Sequence, residues 1–228
     1  MCGIVGYIGK KEAFPVIIKG LKRLEYRGYD SAGVALMTGN NVNIYKREGK
    51  VAELESYVAD KDITGTLGIG HTRWATHGEP NDVNAHPHRA ETEDIVLVHN
   101  GIIENYDTIK EELINRGHNF ESETDTEVLA HLIEDVKTRQ NLSLEDAVRI
   151  ALQSVVGAYA IVVLSKNEPA KLVAAKKSSP LVIGVSEEEG ECYLASDATP
   201  IVEFTKNVVY LEDEAIADVD RLEGLRIV

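Results

Sequence analysis

Short apolar and β-branched runs, each closed by turn-forming residues, recur along nearly the whole chain. They span residues 4–8, 32–37, 42–45, 67–71, 95–99, 159–164, 172–175, 181–185, 192–195, 208–211, 216–219 and 225–228. Runs of this length and composition are the signature of β-strands. Several are apolar without a break, Ile95-Val-Leu-Val98 being one. A strand apolar on both sides has to be covered on both faces. Other segments carry helical period. Phe14, Ile17, Ile18, Leu21 and Leu24 form one stripe, with Pro15 placed where a first turn tolerates it. Val51, Leu54 and Val58 form a weaker one, and Tyr106, Ile109 and Leu113 a third that Gly117 is placed to end. Thr124 with Glu127 has the spacing of a capping box ahead of Val128, Leu129, Leu132, Ile133 and Val136. Ser143 opens a last helix, with Leu144, Ala147, Val148, Ala151, Leu152 and Val155 as its core face and Gly157 as its expected stop. Strands grouped with strands and helices with helices make an α+β fold rather than the alternation of a doubly wound sheet. Two sheets packed on each other, with helices outside, would cover every apolar face.

Length and charge narrow the possibilities further. A chain of 228 residues without a solenoid repeat or a Pro/Gly/Ser-rich linker is expected to be a single domain. Lys plus Arg number 24 against 38 Asp plus Glu, a net charge of −14. Nucleic-acid and anionic-membrane partners are poor expectations for so acidic a chain, because both bind through cations. No apolar run approaches the ~18 residues of a membrane helix, and there is no signal-peptide core. The two cysteines, Cys2 and Cys192, cannot make a disulfide framework, which points to a reducing, cytoplasmic setting.

Candidate chemistry concentrates in the first 130 residues. Removal of Met1 would leave Cys2 with both a thiol and a free α-amine. The amine, with an ordinary pKa of ~8, can act as base for its own thiol. Position alone fits an inert cysteine at a strand start better, and Cys192, within Glu-Cys-Tyr-Leu-Ala, fits inert core. His71, His77, His86, His88 and His99 cluster in one stretch, but their spacing matches no zinc ribbon or helical His pair, so no metal is expected. Residues 71–80, His-Thr-Arg-Trp-Ala-Thr-His-Gly-Glu-Pro, leave a strand for a loop. Arg73 there suits either a bidentate carboxylate clamp or a solvated surface. The Asn100-Gly101 pair can supply two donors to an oxyanion or make a plain turn. Asp125 can cap a helix or meet an ammonium. The glycines at 3, 6 and 9 match neither a dinucleotide nor a P-loop pattern.

Together these blocks closely resemble the glutamine amidotransferases whose nucleophile is an N-terminal cysteine. Within them the chain is most similar to the glutaminase half of the glucosamine-6-phosphate synthases (glutamine:fructose-6-phosphate aminotransferases, isomerizing). The resemblance rests on residues 1–6 (Met-Cys-Gly-Ile-Val-Gly) and 24–33 (Leu-Glu-Tyr-Arg-Gly-Tyr-Asp-Ser-Ala-Gly), the 71–80 block, and 84–88 (Asn-Ala-His-Pro-His). Residues 99–105 (His-Asn-Gly-Ile-Ile-Glu-Asn) and 122–127 (Ser-Glu-Thr-Asp-Thr-Glu) complete it. Amidophosphoribosyltransferases and asparagine synthetases share the Cys start and the Asn-Gly pair, so an amidophosphoribosyltransferase-type glutaminase is the alternative.

The resemblance implies a four-layer αββα sandwich of two antiparallel sheets between helical layers. It implies Cys2 as nucleophile after loss of Met1, and Asn100 with the Gly101 N–H as oxyanion hole. It implies Arg73 on the glutamine α-carboxylate, helped by Thr76 and His77, and Asp125 on the α-ammonium. Gly28, with Arg27 beside it, belongs to the block that approaches the nucleophile, and Trp74 to a lid. L-glutamine is the implied substrate, with no cofactor and no metal. Fructose-6-phosphate would be met only through isomerising domains that this chain lacks, in a full enzyme expected to be a homo-oligomer. On that basis the chain is expected to be a fragment or isolated domain.

Overall fold

Along β1 (Gly3–Ile8) the side chains alternate between two different apolar cores. Val5 and Tyr7 pack toward α1 (Ala13–Leu24), while Ile4 and Ile8 point to the other side. That period of two, with both sides apolar, is the expected consequence of a strand covered on both faces. The computed structural model describes residues 2–75, 78–186 and 190–228. In it β1 lies inside a seven-stranded antiparallel sheet, between β4 (Leu67–Arg73) and β10 (Glu191–Ala195). Beyond β4 come β2 (Ser31–Thr38) and β3 (Asn41–Glu48), and beyond β10 come β9 (Val182–Ser186) and β11 (Val208–Tyr210). Helices α1 and α2 (Val51–Tyr57) cover its outer face through Ile17, Leu21, Leu24, Val51 and Leu54.

The second sheet has six strands in the order β13 (Gly224–Ile227), β12 (Ile216–Asp220), β8 (Lys171–Lys177), β7 (Gly157–Ser165), β6 (Ile95–Ile103) and β5 (His88–Arg89). Val96 and Val98 of β6 face the first sheet, whereas Ile95 and Leu97 face α3 (Tyr106–Asn115), α4 (Asp125–Gln140) and α5 (Leu144–Leu152). Three cores therefore alternate with two sheets and two helical layers, which is the four-layer αββα arrangement expected above. Burying each Leu, Ile or Val side chain in such a core contributes ~1.5–3 kcal/mol.

Local signals explain most element ends. His118 donates its N–H to the Leu113 carbonyl and Gly117 to that of Ile114, so α3 ends as expected at Gly117, with φ 101°. Ser143 caps α5 by accepting from the Asp146 N–H at 3.2 Å. Four readings need correction. Thr124 does cap α4, accepting from the Glu127 N–H at 3.3 Å, but Glu127 does not return to Thr124. Its carboxylate accepts instead from the N–H groups of Glu121 (2.8 Å) and Ser122 (2.6 Å), drawing in the preceding loop. Gly157 does not stop α5. That helix ends at Leu152 with Gln153 as its cap, and Gly157 opens β7. Strand β5 has only two residues and no sequence pattern announces it. Asn100-Gly101 is not a turn: β6 runs on to Ile103, with Asn100 opposite Ala160 and Gly101 opposite Tyr159.

Candidate active site

The open end of the sandwich brings together the ends of β1, β4 and β6 and the first turn of α4. A cavity of about 260 Å³ lies there. Cys2, Arg73, Trp74, Asn100, Gly101 and Asp125 line it, so residues far apart in the chain converge on one space. The volume lies just below the ~300–1,000 Å³ typical of drug-sized ligand sites. Arg27, already noted beside Gly28, also lines it.

Cys2 precedes β1 and is partly exposed. Its Sγ accepts from the Trp74 N–H at 3.2 Å, and the thiol lies 3.5 Å from the Trp74 carbonyl. Burial pushes the thiol pKa up, and the Trp74 N–H works against that shift. At neutral pH this thiol needs a base to become a nucleophile.

Asn100 faces Cys2 across the gap between the two sheets. Its Nδ2 donates to the Cys2 carbonyl at 3.1 Å. Its Oδ1 lies 2.8 Å from His71 Nε2, which also lies 3.1 Å from the His99 carbonyl. Two oxygen acceptors at Nε2 require that nitrogen to carry the proton. Burial holds His71 neutral by pushing its pKa down to about 3. A neutral His71 thus fixes the Asn100 amide with its nitrogen toward Cys2. Gly101, beside it, has φ 131°, and a Cβ there would sit 2.0 Å from the Ala158 carbonyl oxygen. Only glycine lets β6 pass this point with its pairing to β7 intact.

Arg73 is the last residue of β4 and is nearly fully buried, not a solvated surface arginine. Its guanidinium donates to the carbonyls of Gly78 (3.0 Å) and Glu79 (3.3 Å) and lies 3.9 Å from Asp30 Oδ1. Asp30 also accepts from the Ala75 N–H, while its own N–H donates to the Arg73 carbonyl at 2.7 Å. Asp125, first residue of α4, accepts from the Ile103 N–H at 2.9 Å and is buried. Arg73 and Asp125 therefore offer opposite charges to one cavity.

Trp74 is half exposed and lies against Gly28, where a Cβ would come within 2.5 Å of the indole. Gly28, with φ 97°, does not line the cavity but backs the tryptophan. Thr76 and His77, the remaining substrate-binding expectations, lie outside the described residues. Of the clustered histidines, His71, His86 and His88 form a buried stack. His71 lies on His86 with centroids 4.1 Å apart, and His88 meets the edge of His86 at 4.8 Å. His99 and His86 reach the Thr126 hydroxyl at 3.0 and 3.3 Å, and His88 that of Thr124 at 3.1 Å. Burial pushes His86 and His88 far below their ordinary pKa. His71 and Asp30 are the contributors sequence reasoning missed. The signal for both was their place inside the quoted motifs. Ser179 and Pro180 also line the cavity, and nothing in the sequence marked them.

A partly exposed thiol at the head of a central strand, in an αββα sandwich, defines the class: a fold of the N-terminal-nucleophile type. Comparison with known proteins narrows this. The glutamine amidotransferase domain family matches residues 55–223. A glutamine–fructose-6-phosphate aminotransferase (isomerizing) of Bacteroides thetaiotaomicron is 60% identical over 229 residues, covering 100% of this chain and 37% of the relative. The enzyme of the same name from Pyrococcus horikoshii is 52% identical, covering 93% of this chain and 35% of the relative. Among solved structures, the glutamine phosphoribosylpyrophosphate amidotransferase of B. subtilis superposes with a TM-score of 0.82 at 27% identity, covering 100% of this chain and 49% of that one. A glutamine aminotransferase class-II domain protein from Silicibacter pomeroyi, at 14% identity and a TM-score of 0.66, shares the fold, over 100% of this chain and 98% of that one. The chain belongs to the glutamine amidotransferase family. It spans little more than a third of the length of the curated relatives it matches. No helix among the described residues is long and apolar enough to cross a membrane.

Proposed function

We propose that this chain, acting as one cytoplasmic glutaminase domain, hydrolyses L-glutamine to glutamate and ammonia through a thioester on Cys2. In a longer protein, a homo-oligomer, the ammonia would aminate fructose-6-phosphate. The observation that carries the reading is the convergence of Cys2, Asn100, Arg73 and Asp125 on one cavity of amino-acid size. Met1 lies outside the described residues; its removal would free the Cys2 α-amine.

The amine takes the thiol proton, and the sulfur attacks the side-chain amide carbon of glutamine. An S–C bond forms as the carbonyl oxygen becomes an oxyanion. The second Nδ2 hydrogen of Asn100, held in place by His71, and the Gly101 N–H stabilise that charge. One such donor is worth ~3–4 kcal/mol in the transition state. The C–N bond breaks, and the amine returns its proton to the departing ammonia. Water then attacks the thioester through the same oxyanion site, releasing glutamate and restoring the thiol. Arg73 on the α-carboxylate and Asp125 on the α-ammonium hold the head group, converting binding into orientation. Thr76 and His77 assist Arg73, and Trp74, backed by Gly28, covers the site. None of these steps calls on a metal or an organic cofactor.

The fructose-6-phosphate assignment rests on the names of relatives at 52–60% identity. The amidophosphoribosyltransferase alternative rests on a fold neighbour at 27%. Glutamate release from glutamine tests the core reading: the chain should turn over glutamine, and Cys2→Ala should not. Turnover in the Cys2→Ala chain would overturn it. The full-length protein should then yield an aminated sugar phosphate from fructose-6-phosphate and none from phosphoribosyl pyrophosphate.

A further inference from the structure

A second cluster of chemistry-bearing side chains lies apart from Cys2, where three segments meet. Glu91 follows β5, His118 follows α3 and His131 is in the second turn of α4. One potential ligand atom from each lies within 4.8 Å of the others. The two imidazoles meet through their Nδ1 atoms at 3.0 Å. Their opposite nitrogens face carboxylates: His118 Nε2 is 3.6 Å from Asp135 Oδ1, and His131 Nε2 is 3.7 Å from Glu127 Oε1. A carboxylate opposite Nε2 draws the single proton of a neutral imidazole to that side. With the protons so placed, two Nδ1 lone pairs face each other across 3.0 Å, a repulsion that a cation between them, or a proton on one Nδ1, relieves. Glu91 brings a negative charge to the same place. Its Oε2 lies 3.9 Å from His118 Nδ1, and Asn119 holds both of its oxygens, by its N–H at 2.9 Å and by Nδ2 at 2.8 Å. A separate cavity lined by Glu91, Asn119, Glu127 and His131 provides the way in.

We propose that Glu91, His118 and His131 form a divalent transition-metal site of the zinc class. Two imidazole nitrogens and one carboxylate make three protein ligands, and a water completes four-coordination. Asp135 and Glu127 lie behind the rings, 3.6 and 3.7 Å from their Nε2 atoms, where outer carboxylate partners of metal-binding histidines sit. Such an ion would clip the loop after β5 and the end of α3 to α4, the helix that presents Asp125. The rival occupant is a proton shared between the two Nδ1 atoms.

The test uses the chain without a polyhistidine tag and with Cys2→Ala, so that neither tag nor nucleophile competes for metal. Co²⁺ and Zn²⁺ are titrated in turn. One equivalent of Co²⁺ should give the intense visible bands of four-coordination, and Zn²⁺ should displace it and raise Tm. His118→Gln, His131→Gln and Glu91→Gln should each weaken binding by ~10-fold or more. Circular dichroism checks that each variant is folded, and the more accessible His118 and Glu91 positions carry the result if His131→Gln is not. Equal affinity in folded His118→Gln and Glu91→Gln, or no saturable binding below millimolar metal, would overturn the site in favour of the shared proton.

Discussion

In the proposed mechanism Asn100 does two things with one amide: it holds the Cys2 carbonyl at 3.1 Å and keeps a second N–H turned to the substrate. It can do so because His71, made a donor at Nε2 by its two oxygen neighbours, fixes the Oδ1 end. Asn100→Ala should therefore lower kcat by roughly 10²–10³ with KM little changed. Steady-state kinetics decides this, since a large KM effect at constant kcat would make Asn100 a ground-state binder. Arg73 behaves in the opposite sense. Its partners are the Gly78 and Glu79 carbonyls and Asp30, so it is held in place as a charge beside the cavity. Arg73→Ala should raise KM for glutamine far more than it lowers kcat, and unchanged affinity would remove it from the carboxylate clamp. The motifs supplied Cys2, Arg73, Asn100 and Asp125, which line one cavity. They could not show the service role of His71, because a tautomer follows from distances and not from residue type.

At the scale of elements, the candidate site depends on where strands stop. The apolar patterns put the ends of β4 and β6 near residues 71 and 99, yet the strands run to Arg73 and Ile103. The extra residues are held by tertiary pairing, Ser31 opposite Arg73 and Gly157 opposite Ile103, which no hydrophobic period encodes. Asn-Gly is a strong hairpin signal by itself, and here the β7 ladder overrides it. Element types were legible because nearly every strand and helix packs a continuous apolar face. Strand β5, two residues long, has no face to show. In the proposed mechanism helix α4 matters most for the substrate, since its first turn carries Asp125. Thr124→Ala removes its cap and should cost ~1 kcal/mol of stability by urea unfolding. A larger rise in glutamine KM should accompany it, as Asp125 loses its fixed start. An unchanged midpoint would mean that the Glu127 carboxylate, which gathers the Glu121 and Ser122 amides, anchors the turn alone.

The whole molecule binds its two sheets through a middle layer that is apolar except at the open end, where the neutral histidines stack. Burial pushes His71, His86 and His88 below the ordinary 6.5, His71 to about 3. Below pH 6.5 the unfolded chain takes up protons that these rings refuse, so stability falls as pH falls, down toward pH 3. Each fully neutral ring should cost about 2 kcal/mol between pH 7 and 5, read from urea midpoints at the two pH values. A flat profile would mean that the stack is protonated in the fold. The whole proposed mechanism turns on Cys2 as an N-terminal nucleophile. An acid quench of the chain during glutamine turnover, followed by intact-mass and peptide analysis, tests that most directly. A glutamyl adduct is expected on a peptide that begins with Cys2, absent in Cys2→Ala. A fully active chain that retains Met1, or an adduct on any other residue, would contradict it.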